Sequence, residues 1–509
     1  MFTPKPPKIR TVSVQVKKNP QPNDAQKKAS LQARPDKTVN GRSSAPTNRY
    51  NLTPSIKTTQ KPLRPTVSQR ASSLSVPSTQ RKRKAPTPST PQWASSDSES
   101  ESENEVRKRH KASSSIEPLA DFRRCLEPDL KRRIQYEDPE SRQEPTGEKE
   151  KRRRVRLIQG LDMSSGEQAK DFKPAFRRSE ENIEEKFVVE LQYPSSQLPE
   201  KFETVVPHDP TNFDPLKDIE YSIEEIIQNY LPPSVSVDLL DETTGTVRLL
   251  KRAVAKNHPA DYRATLTDFN NFIRTNVENG TISSVLTQMS AIPLSLTKRI
   301  LAQVYQRTVS PHVHLLRRVK EKATTYGELL PPFVHSIFHQ TGLSSSCVFV
   351  DLGSGVGNVV LQSALQTGAE SWGIEIMDTP AKFAVKQASE LRARARMWNI
   401  NLGPMHLLHG DFLDAPKIDE ILRRADVVLV NNKVFPQQLN GALLDKFLDL
   451  KEGAKVVSLE PFAPGGKSQG IRNEQNVFNL FEEEKFESGT QSVSWAGESV
   501  DYYIATKVR

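Results

Sequence analysis

Apolar residues recur with a regular period only from about residue 185 onward. "KFVVELQY" (186–193) alternates apolar and polar positions as a strand does, and "YSIEEIIQNYL" (221–231) carries the wider spacing of an amphipathic helix. "HPADYRATLTDFNNFIRTNVENG" (258–280) keeps helical spacing up to a closing Asn-Gly, and "LTKRILAQVYQRTVS" with "HVHLLRRVKEK" extends it to Lys322. A helical subdomain is therefore expected over 161–320.

After "TTYGELLPPFVHSIFHQTGL" the pattern alternates. Strand "CVFVDLG", helix "NVVLQSALQTG", strand "SWGIEI", helix "TPAKFAVKQASELRARARMWNI", strand "MHLLHGDF" and strand "DVVLVNN" come in order. "LLDKFLDL" and strand "AKVVSLEPF" follow, and "SVSWAG" and "YYIATKV" are expected as two late strands forming an antiparallel edge. Such alternation predicts an α/β fold, a doubly wound and mostly parallel sheet over 321–509.

Residues 1–160 are read differently. Pro, Ser, Thr, Gln and basic residues dominate, with too little apolar surface to offset the entropy of ordering, so a long disordered tail is expected. The net charge of +10 hides an asymmetry. The tail has 35 Lys and Arg against 17 Asp and Glu, a balance of +18, which leaves −8 for residues 161–509. Basic clusters "RKRK", "RKRHK", "KRR" (131–133) and "KEKRRRVR" flank the acidic-serine block "SSDSESESENE". They suit nuclear import and contact with DNA phosphates, and phosphorylation of the acidic block would oppose them. Two cysteines, Cys125 and Cys347, make neither a disulfide framework nor a zinc site. No metal-ligand spacing, membrane-length apolar run or signal-peptide pattern is seen, so a soluble, non-secreted protein without membrane partners is expected.

The stretch "VFVDLGSGVGNVVLQ" carries the candidate chemistry. Gly353, Gly355 and Gly357 give G-x-G-x-G instead of the G-x-G-x-x-G that seats a pyrophosphate, and Asp351 precedes them. A carboxylate there repels phosphate and welcomes an ammonium group. Glu375 ends the next strand, where it can accept ribose hydroxyls, and Asp411 with Phe412 follows the third, suited to an adenine amine and ring face. S-adenosylmethionine, which has an ammonium, a ribose and no phosphate, is the expected cofactor.

In order, "TTYGEL", "DLGSGVG", "GDFL", "VVLVNN" with Phe435, "SLEPFAP", "SVSWAG" and "DYYIATKVR" resemble the disruptor-of-telomeric-silencing family of histone-lysine methyltransferases, in its fungal branch. The resemblance spans roughly Lys322 to Arg509. It implies a seven-stranded class I methyltransferase sheet behind a helical subdomain, acting on a lysine of the globular face of histone H3 in nucleosomes, in the nucleus, with a role in telomeric silencing. Other histone tails or ubiquitin are further candidate partners. By the same resemblance Tyr326, Gly327 and Glu328 close over the methionine part of the cofactor, beside Asp351 and Gly353. Asn431 hydrogen-bonds where cofactor and lysine channel meet, and Phe435, Trp495 and Tyr502 wall the channel; core packing is the rival reading for these three aromatics. Lys433 stands where many members have an aromatic.

Methyl transfer to an amine needs alignment and a neutral nucleophile more than a general base. Two rival functions remain open. An RNA methyltransferase would also use a basic tail, although the expected N/D-P-P-aromatic motif is replaced here by "NNKVF"; a silent chromatin scaffold would keep the cofactor site without turnover.

Overall fold

The computed structural model describes residues 125–137, 157–178, 185–316, 327–462 and 480–509. The clusters at 81–84, 107–111 and 149–156, the acidic-serine block, residues 317–322 and Tyr326 lie outside the described residues.

The N-terminal subdomain is a set of helices with two short antiparallel ladders. β1 (Phe172–Pro174) pairs with β4 (Val205–Pro207), and β2 (Val188–Leu191) with β3 (Glu200–Glu203). The helix Pro215–Tyr230 starts where Asp214 accepts the N–H groups of Leu216 and Lys217, an N-cap with proline at the first helical position. Its apolar stripe of Ile219, Ile223, Ile226, Ile227 and Tyr230 is fully buried. Helix Leu294–Thr308 lies deeper and hides polar side chains as well, Arg299, Gln303 and Arg307.

The second part is one seven-stranded sheet. Its strands are β5 (Val348–Leu352), β6 (Glu370–Glu375), β7 (Met405–His409), β8 (Val427–Val430), β9 (Lys455–Ser458), β10 (Phe481–Glu487) and β11 (Asp501–Lys507), in the order β10-β11-β9-β8-β5-β6-β7. Only β11 runs against its neighbours; the ladders of β5 with β6 and β8, of β6 with β7 and of β8 with β9 are parallel. Side chains alternate between faces. Val350, Leu352, Val428 and Val430 face the helices Pro416–Leu422 and Gln437–Phe447, while Phe349, Val427 and Leu429 face helix Pro331–Thr341. Helices on both faces make the doubly wound fold.

Three expectations are corrected. "SVSWAG" is not a strand: Val493 makes isolated bridges to Leu329 and Ala496 within a turn. The missing edge strand is β10, "FEEEKFE", whose polar positions at an open edge hide its period. Ordered packing also begins before residue 160. Ile134 is buried in the main core, Asn401 N–H donates to the Ile134 carbonyl at 2.7 Å, and Arg132 of "KRR" is half-buried instead of forming part of a solvated basic cluster.

A buried ionic network joins the two parts. Glu200, wholly buried, takes hydrogen bonds from Arg307 Nη2 at 2.8 Å and Arg394 Nη2 at 2.7 Å. Arg394 also reaches Glu390 at 2.9 Å, and Arg299 and Arg307 both pair with Asp218. Three guanidiniums thus meet three carboxylates, with Gln303 bonding Trp398 Nε1 at 2.9 Å alongside. Burial alone would raise the Glu200 pKa; Arg307 and Arg394 outweigh it and hold it down at about 2. A lowered carboxylate pKa contributes stability that is complete above the unfolded value near 4.5 and is lost as pH falls toward about 2. Glu200→Gln leaves two buried guanidiniums without that anion, so urea denaturation is expected to show a loss of about 3–5 kcal/mol at neutral pH. The difference from wild type should shrink below the unfolded value, and a variant as stable as wild type at neutral pH would refute this.

Candidate active site and cofactor pocket

The functional side chains collect at the carboxyl ends of β5, β6 and β8, the end of an open α/β sheet where ligands bind. The turn after β5 has positive φ at Gly353 (91°), Gly355 (55°) and Gly357 (85°), which only glycine adopts without strain. Gly353 and Ser354 donate N–H to the Ile374 carbonyl at 3.0 and 2.9 Å, tying the turn to β6. A Cβ on Gly357 would press within 3.2 Å of Ala384, so helix Asp378–Met397 can approach closely.

Glu375 is buried and steadies this turn. One oxygen accepts the Gly355 N–H at 2.8 Å and the other the Met377 N–H at 2.7 Å, leaving lone pairs for hydroxyl donors. Burial nevertheless raises its pKa, the backbone donors acting against that. Asp351 is also buried, and burial together with the Glu375 charge pushes its carboxyl up to about 8. Asp411 accepts the Leu413 N–H at 2.8 Å in its own turn. Phe412 is buried and stacks on Phe435 with ring centres 6.2 Å apart. A cavity of 390 Å3 opens beside Glu375, lined also by Ser354, Asp378, Leu407 and His409, a volume within the range of small-molecule sites.

Two loops close over the end of β8. Glu328 N–H donates to Ser494 Oγ and Ser494 N–H to the Glu328 carbonyl, both at 2.9 Å, and Leu330 N–H reaches the Ser492 carbonyl. Gly327 lies so close to Trp495 that a Cβ would sit 2.5 Å from the indole; Trp495 is 37% exposed. Buried Glu328 accepts a 2.9 Å bond from Tyr305 of helix Leu294–Thr308, so the helical subdomain holds this loop directly. Asn431 Nδ2 donates to the Gly327 carbonyl at 3.4 Å. Phe435 faces the glycine turn, 3.9 Å from where a Gly353 Cβ would stand.

Tyr502 is a correction to the expected channel wall. It is 2% exposed, packs edge-on to Phe333 and parallel to Phe486, and donates its hydroxyl to Gln340 at 2.7 Å, so it is a core residue. Lys433, where an aromatic was expected, pairs with Glu460. Asn432, which with Asn431 ends the buried strand, has a supporting role, and two further residues, Ser494 and Tyr305, escaped the sequence reading. Asn432 accepts the Leu459 and Glu460 N–H groups at 3.0 and 2.8 Å and so ties β8 to the "SLEPF" turn. Ser494 sits in a segment that reads as a strand, and Tyr305 lies on a distant helix with no local signal.

The sheet order, the glycine turn and the buried acids at successive strand ends define a class I S-adenosylmethionine-dependent methyltransferase. The residues fit that cofactor: a turn with glycine at every second position, a buried carboxyl able to face an ammonium, and a carboxylate with free lone pairs for the ribose. The family described as histone methylation protein DOT1 matches residues 305–507. The H3 lysine-79-specific histone-lysine N-methyltransferase of Aspergillus fumigatus is 40% identical over 404 residues, 79% of this chain and 76% of that one. Its counterpart from Emericella nidulans is 42% identical over 356 residues, 70% of each chain. A solved RNA methyltransferase from Salinibacter ruber overlaps 35% of this chain and 90% of its own, at 22% identity and a TM-score of 0.23. The chain belongs to the DOT1 family of histone methyltransferases.

Selective 13C labelling of aspartate is expected to show Asp351 titrating near pH 8 in the ligand-free protein. In Glu375→Gln the neighbouring negative charge is gone and the midpoint should move down; a midpoint in the ordinary carboxylate range in wild type would contradict the burial of this group.

Proposed function

We propose that this chain transfers methyl groups to lysine 79 of histone H3 on the nucleosome surface, in the nucleus, and that its basic tail holds nucleosomal DNA. The observation that carries the reading is the nearness of Phe435 to Gly353, which brings the channel end of β8 against the cofactor turn. The names of the two Aspergillus and Emericella relatives support the choice of lysine.

Bound S-adenosylmethionine supplies a methyl group on a sulfonium, an electrophile for a neutral amine. Asp351, whose carboxyl is pushed up to about 8 in the ligand-free protein, would face the ammonium of the methionine part, an opposite charge that favours its carboxylate form. Glu375 would accept the ribose hydroxyls, and Asp411 with Phe412 would take the adenine. The loop of Gly327 and Glu328 would cover the methionine part, with Asn431 fixing that loop to β8 through the Gly327 carbonyl. A lysine amine has pKa about 10.4 in water. An apolar passage lined by Phe435 and Trp495 disfavours its charged form, so the proton leaves before attack. Their ring faces also attract a cation. No side chain here is assigned as a general base.

Methyl transfer from labelled S-adenosylmethionine to intact nucleosomes, free H3 and total RNA tests the assignment. Label on nucleosomal H3 at lysine 79, lost in Gly353→Arg, is expected; label on RNA, or cofactor binding with no transfer to any acceptor, would support one of the rival functions. For the tail, nucleosome affinity of the full chain should fall more steeply with salt than that of a chain lacking residues 1–124, because Lys and Arg contacts to phosphate release counterions. Equal slopes would refute the DNA role.

A further inference from the structure

The segment 125–137 is short, precedes both the helical subdomain and the sheet, and touches both. Asp129 N–H donates to the Ser290 carbonyl of the subdomain at 2.9 Å, while its carboxylate accepts the Ser345 N–H just before β5 at 2.9 Å. Arg132 is the deepest contact. Its guanidinium donates to the carbonyls of Gln366 at 2.5 Å, Leu365 at 2.6 Å and Asn401 at 3.2 Å.

Leu365 and Gln366 lie in the last turn of the helix that begins at the glycine turn. That helix runs as α-helix from Asn358 to Gln362 and as a π turn from Ser363 to Thr367, and stops at Gly368 with φ 76°. Carbonyls in a last turn have no partner inside the helix, and a cation there also meets the negative end of the helix dipole. Gly403 N–H takes the Ala364 carbonyl, and Arg132 takes the next two. The fit is shaped from both sides: a Cβ on Gly368 would stand 2.7 Å from Arg132 Nε, so any other residue there would displace the guanidinium. Leu365 and Gln366 stand eight and nine residues after Gly357, roughly 12–14 Å along the helix. An element this short moves as one piece.

We propose that Arg132 is a positioning residue for the cofactor: by capping the far end of this helix, it sets the glycine turn at the near end. The inference rests on the reading that the glycine turn receives S-adenosylmethionine. It makes part of the expected tail a component of the methyl-transfer machinery. A lysine cannot replace the fork, since it reaches one carbonyl where the guanidinium spans three.

The test uses the full chain as wild type, Arg132→Ala and Arg132→Lys, with S-adenosylmethionine binding read by calorimetry and steady-state kinetics on nucleosomes. Cofactor binding is expected to weaken by roughly tenfold in Arg132→Ala, which loses all three charge-assisted hydrogen bonds, with a smaller effect in Arg132→Lys. KM for S-adenosylmethionine should rise in step while KM for nucleosomes stays as in wild type. A purely structural role would lower the binding stoichiometry and leave Kd unchanged in both variants, and that result overturns the proposal. If Arg132→Ala does not fold, Arg132→Lys decides by the same criterion. Failure of the wild type itself to bind would instead remove the reading of the glycine turn.

Discussion

Glu200 between Arg307 and Arg394 is the contact on which the arrangement of the molecule turns. Its three charges belong to three separate elements: β3 and helix Leu294–Thr308 in the helical subdomain, and helix Asp378–Met397 on the sheet. Taking ions out of water is costly, and a buried set survives only where every member is paired and hydrogen-bonded. Here Asp218 and Glu390 complete the charge balance and Tyr193 and Gln303 add hydrogen bonds, while the Nε atoms of Arg299 and Arg307 are left without a partner among the described residues. Such a network tolerates one relative placement of its elements. Because helix Asp378–Met397 follows directly from Glu375, that placement also sets how the subdomain stands over the cofactor end of the sheet.

The same subdomain reaches the site a second time. Tyr305 lies two residues before Arg307 on one helix, and its hydroxyl holds Glu328 in the loop that zips to Ser494. The active end is therefore an assembly of rigid parts: a glycine turn fastened to β6, a loop fastened to a helix, and Asn431 joining that loop to the end of β8. Preorganisation of this kind suits a reaction whose main demand is alignment.

The sheet and its cofactor end were legible because each local signal agreed with the global one. Apolar strands lead into acids, the first acid meets G-x-G-x-G, and Asp351, Glu375 and Phe412 are all buried near the carboxyl ends of their strands. The edge was not legible. β10 presents Glu482, Glu484 and Lys485 to water, so it lacks the apolar signature of an inner strand, while "SVSW" imitates one although its backbone partners are loop residues. Tyr502 shows the limit for aromatics: sequence gives its place near a strand end, whereas the choice between core and channel depends on Gln340, Phe333 and Phe486 from elements far away in the chain. Arg132 was hidden by its neighbours, since "KRR" has the composition of a surface cluster and only the fold reveals that one of its three residues turns inward.

The most direct measurement is a crystal structure of the full chain with S-adenosylhomocysteine. The account predicts the ribose hydroxyls on Glu375, the amino group beside Asp351, and the sulfur turned toward Asn431 and Phe435 at the end of β8. A ligand whose sulfur points away from Asn431, or one that leaves Asp351 and Glu375 without contact, would contradict it.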